Sequence, residues 1–577
     1  MKKITAILSL ALLMVSCYKD QGNYDYTLGS MNEILSVTFS PSVVKTAEGE
    51  VIEVQQALDE KSSSRRIEAT VEQTISTSLD DLEFYWCRTY TNEQGKGVKD
   101  TIRTKGYMEF DLPVGKAMSY NIFLQVYDTS TELSYYAQFT IKTRPLFKNS
   151  LFVLHGNEGA RKLGNIEVIG SETKFYADVK AVTKDNNHYE NATGIGYTTY
   201  LNIPEDRSNS NIAVTNALTI YADYGESRAY NPHGMNVRYT AQQIFKPESG
   251  NFAYRKTIQT GDPSNYTQYK VVLTETGEAY TGNYVHALYK PGFACEGNTD
   301  LPHQTDYTIT AATITHNRFL LWDAKNGRFL YAAKDDPGFA VDEGSSIKSS
   351  YNSSSPLLDA HVDFLGLQKS PAEMTAVMGY INYRDNYSQQ NPYFIFKDES
   401  TGEYYRYELL MLDIGDGSKA NQRRGIDGEE EKLAAYTIIS EKKLTGLTPT
   451  DMSTITYNSW FTTANLFFAE GGTVYRYNVS NGDKYIVYEA PEGYEVTKIK
   501  FRTEESSPFS DDLGLYLNIV MYNGTHGAIG EIKLTTAADV DTDYPSLFYD
   551  KDNNGNHLWG EIKDIQFVYD YIYKMIY

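Results

Sequence analysis

The chain has 577 residues, with 53 Lys and Arg against 75 Asp and Glu, and a formal net charge of −22 at pH 7. A chain of this length exceeds what one hydrophobic core usually serves, so at least two domains are expected. The negative charge argues against a nucleic-acid partner, because phosphates need Lys and Arg to neutralise them, and against a polybasic grip on anionic lipid.

The first 16 residues are predicted to be a secretory signal peptide. Lys2 and Lys3 precede the apolar run from Ile4 to Val15, which is too short to span a bilayer core of about 30 Å. The ending "MVSC" is a bacterial lipobox, so we expect cleavage before Cys17 and acylation of that residue. Lipid on Cys17 would be the only membrane attachment. A plain secretory signal with an incidental Cys is the alternative.

Residues 17–31 are expected to form a lipid-anchored flexible lead, and residues 32–145 to form one β-sandwich. Alternating runs such as "RIEATVEQTI" and "LEFYWCRTY" precede two long strands in "MSYNIFLQVYDTSTELSYYAQFTIKT". Trp86 on a middle strand and Tyr120 at the start of a late strand are typical of immunoglobulin-like sandwiches, in which the Trp fills the core. The runs "FYW" and "YNIFLQVYD" resemble the PKD subclass of that fold.

Residues 146–577 are predicted to form a β-propeller, because one motif recurs seven times. It is an apolar or aromatic run, a polar turn with Gly, and a second aromatic run, and each copy would be one hairpin of a four-stranded blade. Seven blades follow, and the late run "IQFVYDY" could pair with the early "SLFVL" and close the ring. Aromatic hairpins also occur in sandwiches, which is the alternative. The motifs begin at Leu151, Leu218, Tyr269, Phe319, Tyr393, Leu466 and Leu515.

Other local features carry weaker expectations. Cys87 and Cys295 are expected to be unpaired, although a disulfide is conceivable outside the cytoplasm. Short helical turns are expected around Ala434 to Lys443, and residues 186–200 and 383–393 are expected to be exposed loops suited to contacts.

One stretch has the spacing of a calcium loop. "DKDNNGNHLWGE" matches D-x-[DN]-x-[DN]-G-x5-E through Asp550, Asp552, Asn554 and Glu561, whose oxygens would hold Ca²⁺, with Gly555 at the sharp turn. The flanking segments favour strands over the helices of an EF-hand. A hairpin turn built on "NNG" is therefore the alternative, since Asp and Asn favour turns. No other cofactor is expected.

The sequence predicts that the protein is not an enzyme. It lacks the zinc-protease helix, the nucleophile elbow, the Walker loop and a C-x-x-C pair. Acidic dipeptides could supply a carboxylate pair for glycoside cleavage, but solvated turns explain them equally well. They are Asp80-Asp81, Asp335-Asp336 and Asp511-Asp512.

The start of the mature chain resembles the PKD-like lipoproteins of Bacteroidota. That resemblance implies an outer-membrane lipoprotein, facing the cell exterior, that assists a SusC-like TonB-dependent transporter and a SusD-like lipoprotein, with room for a further small lipoprotein. It implies capture of oligopeptides more than oligosaccharides, and Lys19-Asp20 partly resembles the surface-export signal. The residues that carry the resemblance are Cys17, Tyr18, Gly22, Asn23, Tyr24 and Tyr26.

Three hypotheses follow for the function. The first is a non-catalytic accessory subunit of a SusCD-like importer. The second is a stand-alone glycan- or peptide-binding surface lipoprotein. The third is a propeller-fold hydrolase or lyase acting on glycans, which would need carboxylates and His around one mouth of the propeller.

Overall fold

The computed structural model divides the chain into two compact units, Met1–Pro145 and Leu146–Tyr577. Within the described residues, no helix is long and apolar enough to cross a membrane. The structure describes residues 32–46, 49–55, 63–91, 96–104, 106–112, 118–169, 172–183, 187–202, 213–222, 226–240, 254–260, 269–283, 290–291, 307–314, 318–333, 358–381, 391–412, 436–458, 461, 463–503 and 513–569.

The first unit is a sandwich of two β-sheets. The sheets have the strand orders β1-β4-β7 and β2-β3-β9-β8-β5-β6, and β3 runs parallel to β9 while the other pairs are antiparallel. Its strands are β1 (Ile34–Ser40), β2 (Val44–Thr46), β3 (Gly49–Gln55), β4 (Ser64–Gln73), β5 (Leu82–Thr91), β6 (Gly97–Thr104), β7 (Tyr107–Asp111), β8 (Ser119–Asp128) and β9 (Leu133–Arg144).

The sandwich core contains the two aromatic residues that the sequence singled out. Trp86 on β5 is fully buried, and Tyr120 on β8 is 2 % exposed. The ring of Phe39 meets Trp86 edge-on at 6.1 Å, and alternating residues of β5 and β8 complete the core between the sheets. The predicted immunoglobulin-like packing is confirmed.

The second unit is a propeller of seven four-stranded sheets among the described residues. Its strands are β10 (Ser150–His155), β11 (Lys162–Ile169), β12 (Glu172–Tyr176), β13 (Gly194–Asn202), β14 (Ala213–Tyr221), β15 (Arg228–Tyr230), β16 (Val237–Thr240), β17 (Tyr254–Thr260), β18 (Tyr269–Thr274), β19 (Ala279–Asn283), β20 (Lys290–Pro291), β21 (Ile309–Ile314), β22 (Arg318–Asp323), β23 (Arg328–Ala333), β24 (Leu358–Asp359), β25 (Thr375–Ile381), β26 (Pro392–Asp398), β27 (Glu403–Met411), β28 (Tyr436–Lys443), β29 (Ile455–Tyr457), β30 (Asn465–Glu470), β31 (Thr473–Asn478), β32 (Lys484–Glu489), β33 (Glu495–Phe501), β34 (Tyr516–Tyr522), β35 (Gly527–Lys533), β36 (Leu547–Tyr549) and β37 (Ile562–Val568).

Helical structure is short in the described residues. It comprises the helix α1 (Lys180–Thr183) and 3₁₀ turns at Pro371–Glu373, Met452–Thr454 and Leu513–Leu515. The helical turns expected at Ala434 to Lys443 were wrong over the described part, because Tyr436–Lys443 is strand β28, paired with β27. Tertiary pairing here overrides the local preference of Ala, Glu and Lys for helix.

The ring is closed by the last strand. Blade 1 has the order β12-β11-β10-β37, so the chain's late segment supplies the innermost strand of the first blade. Ile565 of β37 pairs with Val153 of β10, and the two strands are antiparallel. Each of the remaining blades is four consecutive antiparallel strands. The predicted propeller and its closing strand are confirmed, and each recurring motif forms the second and third strands of one blade.

Blades pack because both faces of their middle strands are buried. In β22, Leu320 and Trp322 pack towards blade 5, whereas Leu321 between them packs towards blade 3. Side chains alternate across a strand, so a strand buried on both faces needs a continuous apolar run. A half-exposed sheet would show apolar and polar residues in alternation. The middle strands instead contain the continuous apolar runs "FLLW" and "LFFA", because both of their faces are buried.

A glycine in blade 1 is expected to be intolerant of substitution. A Cβ added to Gly164 would lie 2.3 Å from Trp559 Cζ3 and 2.8 Å from Tyr176 O. Because the neighbours are a buried indole and backbone, Gly164→Ala should lower the free energy of unfolding by about 1–3 kcal/mol. Urea denaturation followed by fluorescence measures this loss. Gly560→Ala is the control, since its Cβ would meet nothing nearer than 3.4 Å; equal midpoints for both variants would contradict the packing argument.

Candidate functional site

The inner strands of the propeller surround a central channel. This cavity has a volume of ≈ 690 Å³ and is lined by residues of β13, β17, β21, β25, β29, β33 and β37. Cavities of about 300–1,000 Å³ are the usual size of sites for small ligands. The channel is therefore the candidate functional site of the second unit.

Five inner strands carry a β-bulge close to their first residue. Each bulge inserts one unpaired residue, and all five of these residues line the channel. A bulge bends the strand and redirects its side chain. Because every blade is an antiparallel meander, the inner strands run in the same direction and the bulges share one end of the channel, which we call the near end. The inserted residues are Arg255, Thr310, Val377, Thr497 and Lys563.

The channel wall is rich in cations although the protein is acidic overall. Six of its residues are Lys or Arg and three are Asp or Glu. On β33 and just beyond it, Lys498, Lys500 and Arg502 alternate with the buried Ile499 and Phe501. The alternation places the three cationic side chains on one face of the strand. The other cations are Arg255, Lys256 and Lys563, and the carboxylates are Glu275, Glu561 and Asp564.

Two of these lysines bridge blade 7 to the closing strand. Lys498 Nζ lies 3.0 Å from Lys563 O and 2.9 Å from Asp564 Oδ1. Lys500 Nζ donates to Ile565 O and to Gln566 Oε1 at 3.0 and 2.9 Å. The innermost strand of a blade has one hydrogen-bonding edge without a partner strand. The two ammonium groups therefore satisfy carbonyls on that edge.

Asp564 is the buried acid of this bridge. Its side chain accepts hydrogen bonds from Lys498 Nζ at 2.9 Å and from the backbone N–H of Ile195 at 3.0 Å. Burial alone would raise the pKa of Asp564, but the charges of Lys498 and Lys500 and the Ile195 N–H outweigh it, and the pKa is lowered. The carboxylate is thus ionised at neutral pH and ties β37 to blades 2 and 7.

Replacing this acid is expected to weaken the closed ring. Asp564→Asn keeps the shape but leaves Lys498 without its counter-charge, and we expect a loss of about 2–3 kcal/mol at pH 7. The folded pKa of Asp564 lies below the unfolded value of about 3.9, so its stabilisation is present above that pH and is lost as pH falls further. The deficit of the variant should therefore shrink below about pH 4, as measured by urea denaturation across pH.

The control for this measurement is Asp539→Asn. Asp539 pairs with Arg476, but its side chain is 64 % exposed, so the loss should stay below about 1 kcal/mol. Equal losses of unfolding free energy in the Asp564 and Asp539 variants would contradict the view that Asp564 forms a stabilising buried ion pair.

A second ion pair holds the far end of β33. Arg502 forms a bidentate pair with the buried Glu531, with Nε–Oε2 at 2.8 Å and Nη2–Oε1 at 2.6 Å. Its guanidinium carbon lies 4.0 Å from the ring centre of Tyr516 and 4.5 Å from that of Phe567. Tyr544 donates its hydroxyl to Glu531, and burial together with that charge raises the pKa of Tyr544. Arg502 therefore stabilises the fold through this ion pair and also lines the channel wall.

The opposite part of the wall is apolar and aromatic. Met378, Tyr380 and Ile381 of β25 and Ile455 and Tyr457 of β29 line it. The Tyr380 ring stacks with Tyr457, with centroids 4.1 Å apart, and with Tyr393, with centroids 5.2 Å apart. Burial raises the pKa of Tyr380 to about 12, so its hydroxyl is neutral at physiological pH.

The predicted calcium loop connects the last outer strand to the closing strand. Asp552 Oδ1 accepts hydrogen bonds from the N–H groups of Asn554 and Asn556 at 2.9 and 2.8 Å, and Gly555 has φ +84°. Hydrogen bonds from Asn556 and Asn554 lower the pKa of Asp552. These contacts are the ones expected of a hairpin turn built on "NNG", which was the alternative to a calcium loop. Glu561 lies at the channel wall, where its backbone carbonyl accepts from Gly156 N–H.

The other candidate calcium ligands of this loop do not form a coordination site. Asp550 Oδ2 lies 3.9 Å from both Lys551 Nζ and His557 Nδ1, and the His557 ring stacks on His526 at 3.8 Å. Within the described ranges, no group of three or more His, Cys, Asp or Glu side chains is arranged to hold a metal ion. Calcium binding at Asp550, Asp552, Asn554 and Glu561 stays a prediction.

Thermal unfolding tests the loop. Because Asp552 already accepts hydrogen bonds from its own turn, we expect the same Tm in about 1 mM calcium, which fills weak extracellular sites, as in EDTA. A higher Tm in calcium that disappears in Glu561→Gln would show that the loop binds the ion. Glu495→Gln, at an exposed position outside the loop, is the control.

Most of the other predicted positions lie outside the described residues. They are Cys17, Lys19, Asp20, Cys295, the dipeptides 335–336 and 511–512, and residues 383–390. Cys87 is a free, half-buried thiol. The exposed loop expected at 186–200 is confirmed only at His188 and Asn191, because Tyr189 is buried and β13 begins at Gly194.

Comparison with known proteins identifies part of the chain. The solved structures that it resembles include a quinonprotein alcohol dehydrogenase-like protein from Bacteroides thetaiotaomicron (9 % identity, 90 % of this chain and 96 % of that chain, TM-score 0.36). Another is an auxiliary nutrient binding protein from the same organism (9 % identity, 77 % of this chain and 86 % of that chain, TM-score 0.24). Apo AztD from Citrobacter koseri is a third (9 % identity, 85 % of this chain and 98 % of that chain, TM-score 0.28). At these TM-scores the likenesses carry no argument about function.

No curated protein matches the sequence. The sequence does match the PKD-like family over residues 17–197, about a third of the chain. The matched segment begins at Cys17, includes the whole sandwich and extends through β12 into β13. Residues 17–197 therefore carry a PKD-like family domain.

Proposed function

We propose that the protein is a non-catalytic lipoprotein of the outer membrane that captures an oligomeric nutrient for a SusC/SusD-type importer. Acylation of Cys17 at the lipobox would anchor it, and Lys19 and Asp20 would contribute to export to the cell surface. The PKD-like match over residues 17–197 supports the family side of the proposal. The transporter pair and surface exposure follow from the resemblance of the lipobox segment.

The observation that carries a binding role is the central channel. It is large enough for a small oligomer, its wall contains both charged and apolar side chains, and its residues come from all seven inner strands. Preformed cavities that combine an apolar lining with a few polar groups are the usual form of ligand sites. The wall carboxylate Asp564 is already bonded to Lys498, so a role in proton transfer is not favoured.

Copurification from native membranes tests the proposal. The full chain, tagged at its C-terminus and expressed at its natural level, should bring down a SusC-like transporter and a SusD-like lipoprotein in mild detergent. Recovery of the chain alone from the same membranes would contradict the importer role and favour a stand-alone binding lipoprotein.

The anchor has its own test. Cys17→Ser removes the thiol that is acylated, so the variant should leave the membrane fraction and lose incorporation of labelled fatty acid. Cys87→Ser, at a half-buried position in the sandwich, is the matched control and should stay in the membrane. Membrane retention of Cys17→Ser would show that the lipid anchor is not at this residue.

A further inference from the structure

One end of the sandwich gathers the start of the described chain and two loops. β1 begins there beside the end of β4, and β5 begins beside the end of β8 and the start of β9. Asn32 joins the two sheets at this end, since its Nδ2 donates to Gln73 Oε1 at 2.6 Å and to Asp128 Oδ2 at 3.1 Å. We call this end the tip; it consists of residues 32–36, 72–82 and 128–134.

The tip exposes apolar side chains. Of the seven large apolar side chains that are exposed on the described part of the sandwich, four lie here, each between 37 % and 58 % exposed. Leu35 is the extra residue of a β-bulge in β1, so it has no partner residue on β4. A single exposed apolar side chain is ordinary, but several at one end of a domain mark an interaction surface. The four are Leu35, Ile75, Leu79 and Leu133.

Hydrogen bonds within the tip hold these side chains in place. Asn32 Oδ1 accepts from the N–H groups of Ile75 and Ser76 at 3.3 and 3.1 Å, which fixes the loop after β4. The buried Asp128 accepts through Oδ1 from two N–H groups of the turn that precedes Leu133, at 2.8 and 3.3 Å. A surface that is already ordered loses little conformational entropy when it binds a partner.

The tip is acidic as well as apolar. Its three segments contain no Lys or Arg. An anionic lipid surface attracts Lys and Arg and therefore repels such a surface, whereas a protein that presents basic residues around an apolar groove complements it. The exposed acidic residues of the tip are Glu33, Glu72, Asp80, Asp81 and Glu132.

The position of the tip in the chain limits where its partner lies. Residues 17–31 end directly before Asn32, the first residue of the tip. A chain of about 15 residues spans at most about 50 Å, so a lipid on Cys17 would keep the tip within that distance of the membrane. A protein embedded in the same membrane would meet the tip at a high effective concentration, and a small contact surface would suffice.

We infer that the tip docks onto an integral membrane protein whose surface presents Lys and Arg around an apolar groove. Within the proposed function that protein is the SusC-like transporter. The inference rests on the proposed function, because it takes Cys17 as the anchor and the importer as the partner, and it names the surface that makes the contact.

Copurification of a tip variant from native membranes tests the inference. Ile75→Ser/Leu79→Ser/Leu133→Ser removes three exposed apolar side chains and keeps Cys17. The transporter recovered per chain should fall about tenfold or more, because the variant loses apolar area that the complex buries. Its Tm and its membrane retention should stay those of the wild type, since exposed positions contribute little to folding.

Leu365→Ser/Ile439→Ser/Ile486→Ser is the matched control. It makes the same kind of change at three exposed positions of the propeller, so it should recover as much transporter as the wild type. A tip variant that recovers as much transporter as the wild type would overturn the inference, and so would an equal loss in the control.

The acidic side of the contact has a separate test. Recovery of the transporter by the wild type should fall several-fold as salt rises from about 0.1 to 1 M, because ions screen the attraction between opposite charges. Asp81→Asn/Glu132→Gln, which removes two exposed charges of the tip, should recover less transporter at low salt and show a smaller dependence on salt. The same salt dependence in this variant and the wild type would overturn the basic partner surface.

Vesicle sedimentation distinguishes a protein partner from lipid. The Cys17→Ser chain, mixed with vesicles of phosphatidylethanolamine and phosphatidylglycerol, should stay in the supernatant, because the tip offers no cation to anionic lipid. Sedimentation that the triple substitution in the tip abolishes would show that the tip inserts into lipid, and it would overturn the inference.

Failure of this inference is distinguishable from failure of the proposed function. A wild-type chain that recovers no transporter would overturn the importer role and, with it, the docking partner. A wild-type chain and a tip variant that recover the transporter equally would overturn the docking surface alone.

Discussion

A chain truncated after Glu561 is expected to lose the cooperatively folded propeller. The truncation removes β37, which supplies the innermost strand of blade 1 and buries Ile565, Phe567 and Val568. It also removes the carbonyl groups that accept from Lys498 and Lys500. Loss of a buried strand leaves an apolar face and an unpaired edge, which promote aggregation. Urea denaturation should show no cooperative transition for the propeller, and limited proteolysis should degrade residues 146–561 rapidly.

Complementation controls for the effect of shortening the chain. A synthetic peptide of residues 561–577 added to the truncated chain should restore part of the protease resistance, because it provides the missing pairing with β10. The same peptide with Ile565→Asp should fail, since Ile565 is 1 % exposed in the intact ring. A truncated chain with the unfolding midpoint of the intact protein would contradict ring closure by β37.

The second large effect is expected at the contact between blades 4 and 5. Trp322 is 1 % exposed, and its ring packs edge-on against Phe329 at 4.7 Å and Phe396 at 4.8 Å. Trp322→Ala removes a large side chain from a surface that two blades share, so it should cost about 3–5 kcal/mol. The loss is measured as a shift of the urea midpoint.

Phe548→Ala serves as the comparison. Phe548 is 37 % exposed on blade 7, so the same truncation should cost about 1 kcal/mol or less. A loss at Trp322 no larger than that at Phe548 would contradict the view that the rings of neighbouring blades form one continuous core.

Much of the fold could be predicted because each blade repeats a local pattern. A run such as "FLLWDAKNGRFLY" contains two strands and their turn, and seven copies predict seven blades. The closing strand could be predicted because "IQFVYDY" is apolar and lies beyond the last repeat. Trp86 could be placed in the sandwich core because few other environments suit a Trp on a middle strand.

Where prediction failed, local sequence was ambiguous. Residues 436–443 contain good helix formers, and only pairing with β27 makes them a strand. The segment 186–200 is polar at its start, yet it leads into the inner strand β13, whose Tyr197 lines the channel. At Asp550 to Glu561, turn chemistry and calcium chemistry favour the same Asp, Asn and Gly residues, so sequence alone cannot separate them.

The channel could not be predicted from the motifs, because its wall comes from distant segments. Arg255, Lys500 and Lys563 are far apart in the chain and share a wall only when the ring closes. One local signal was present in "KIKFR", residues 498–502, where cations alternate with apolar residues. In a strand this pattern predicts one charged face, and here the lysines of that face reach the neighbouring strand β37 at the channel wall.

An electron cryo-microscopy reconstruction of the protein purified from its native outer membrane tests the account most directly. We predict a complex with a SusC-like transporter and a SusD-like lipoprotein, and density for a bound ligand in the channel. A particle that contains this chain alone, with only solvent between its inner strands, would contradict both the importer role and the channel as its binding site.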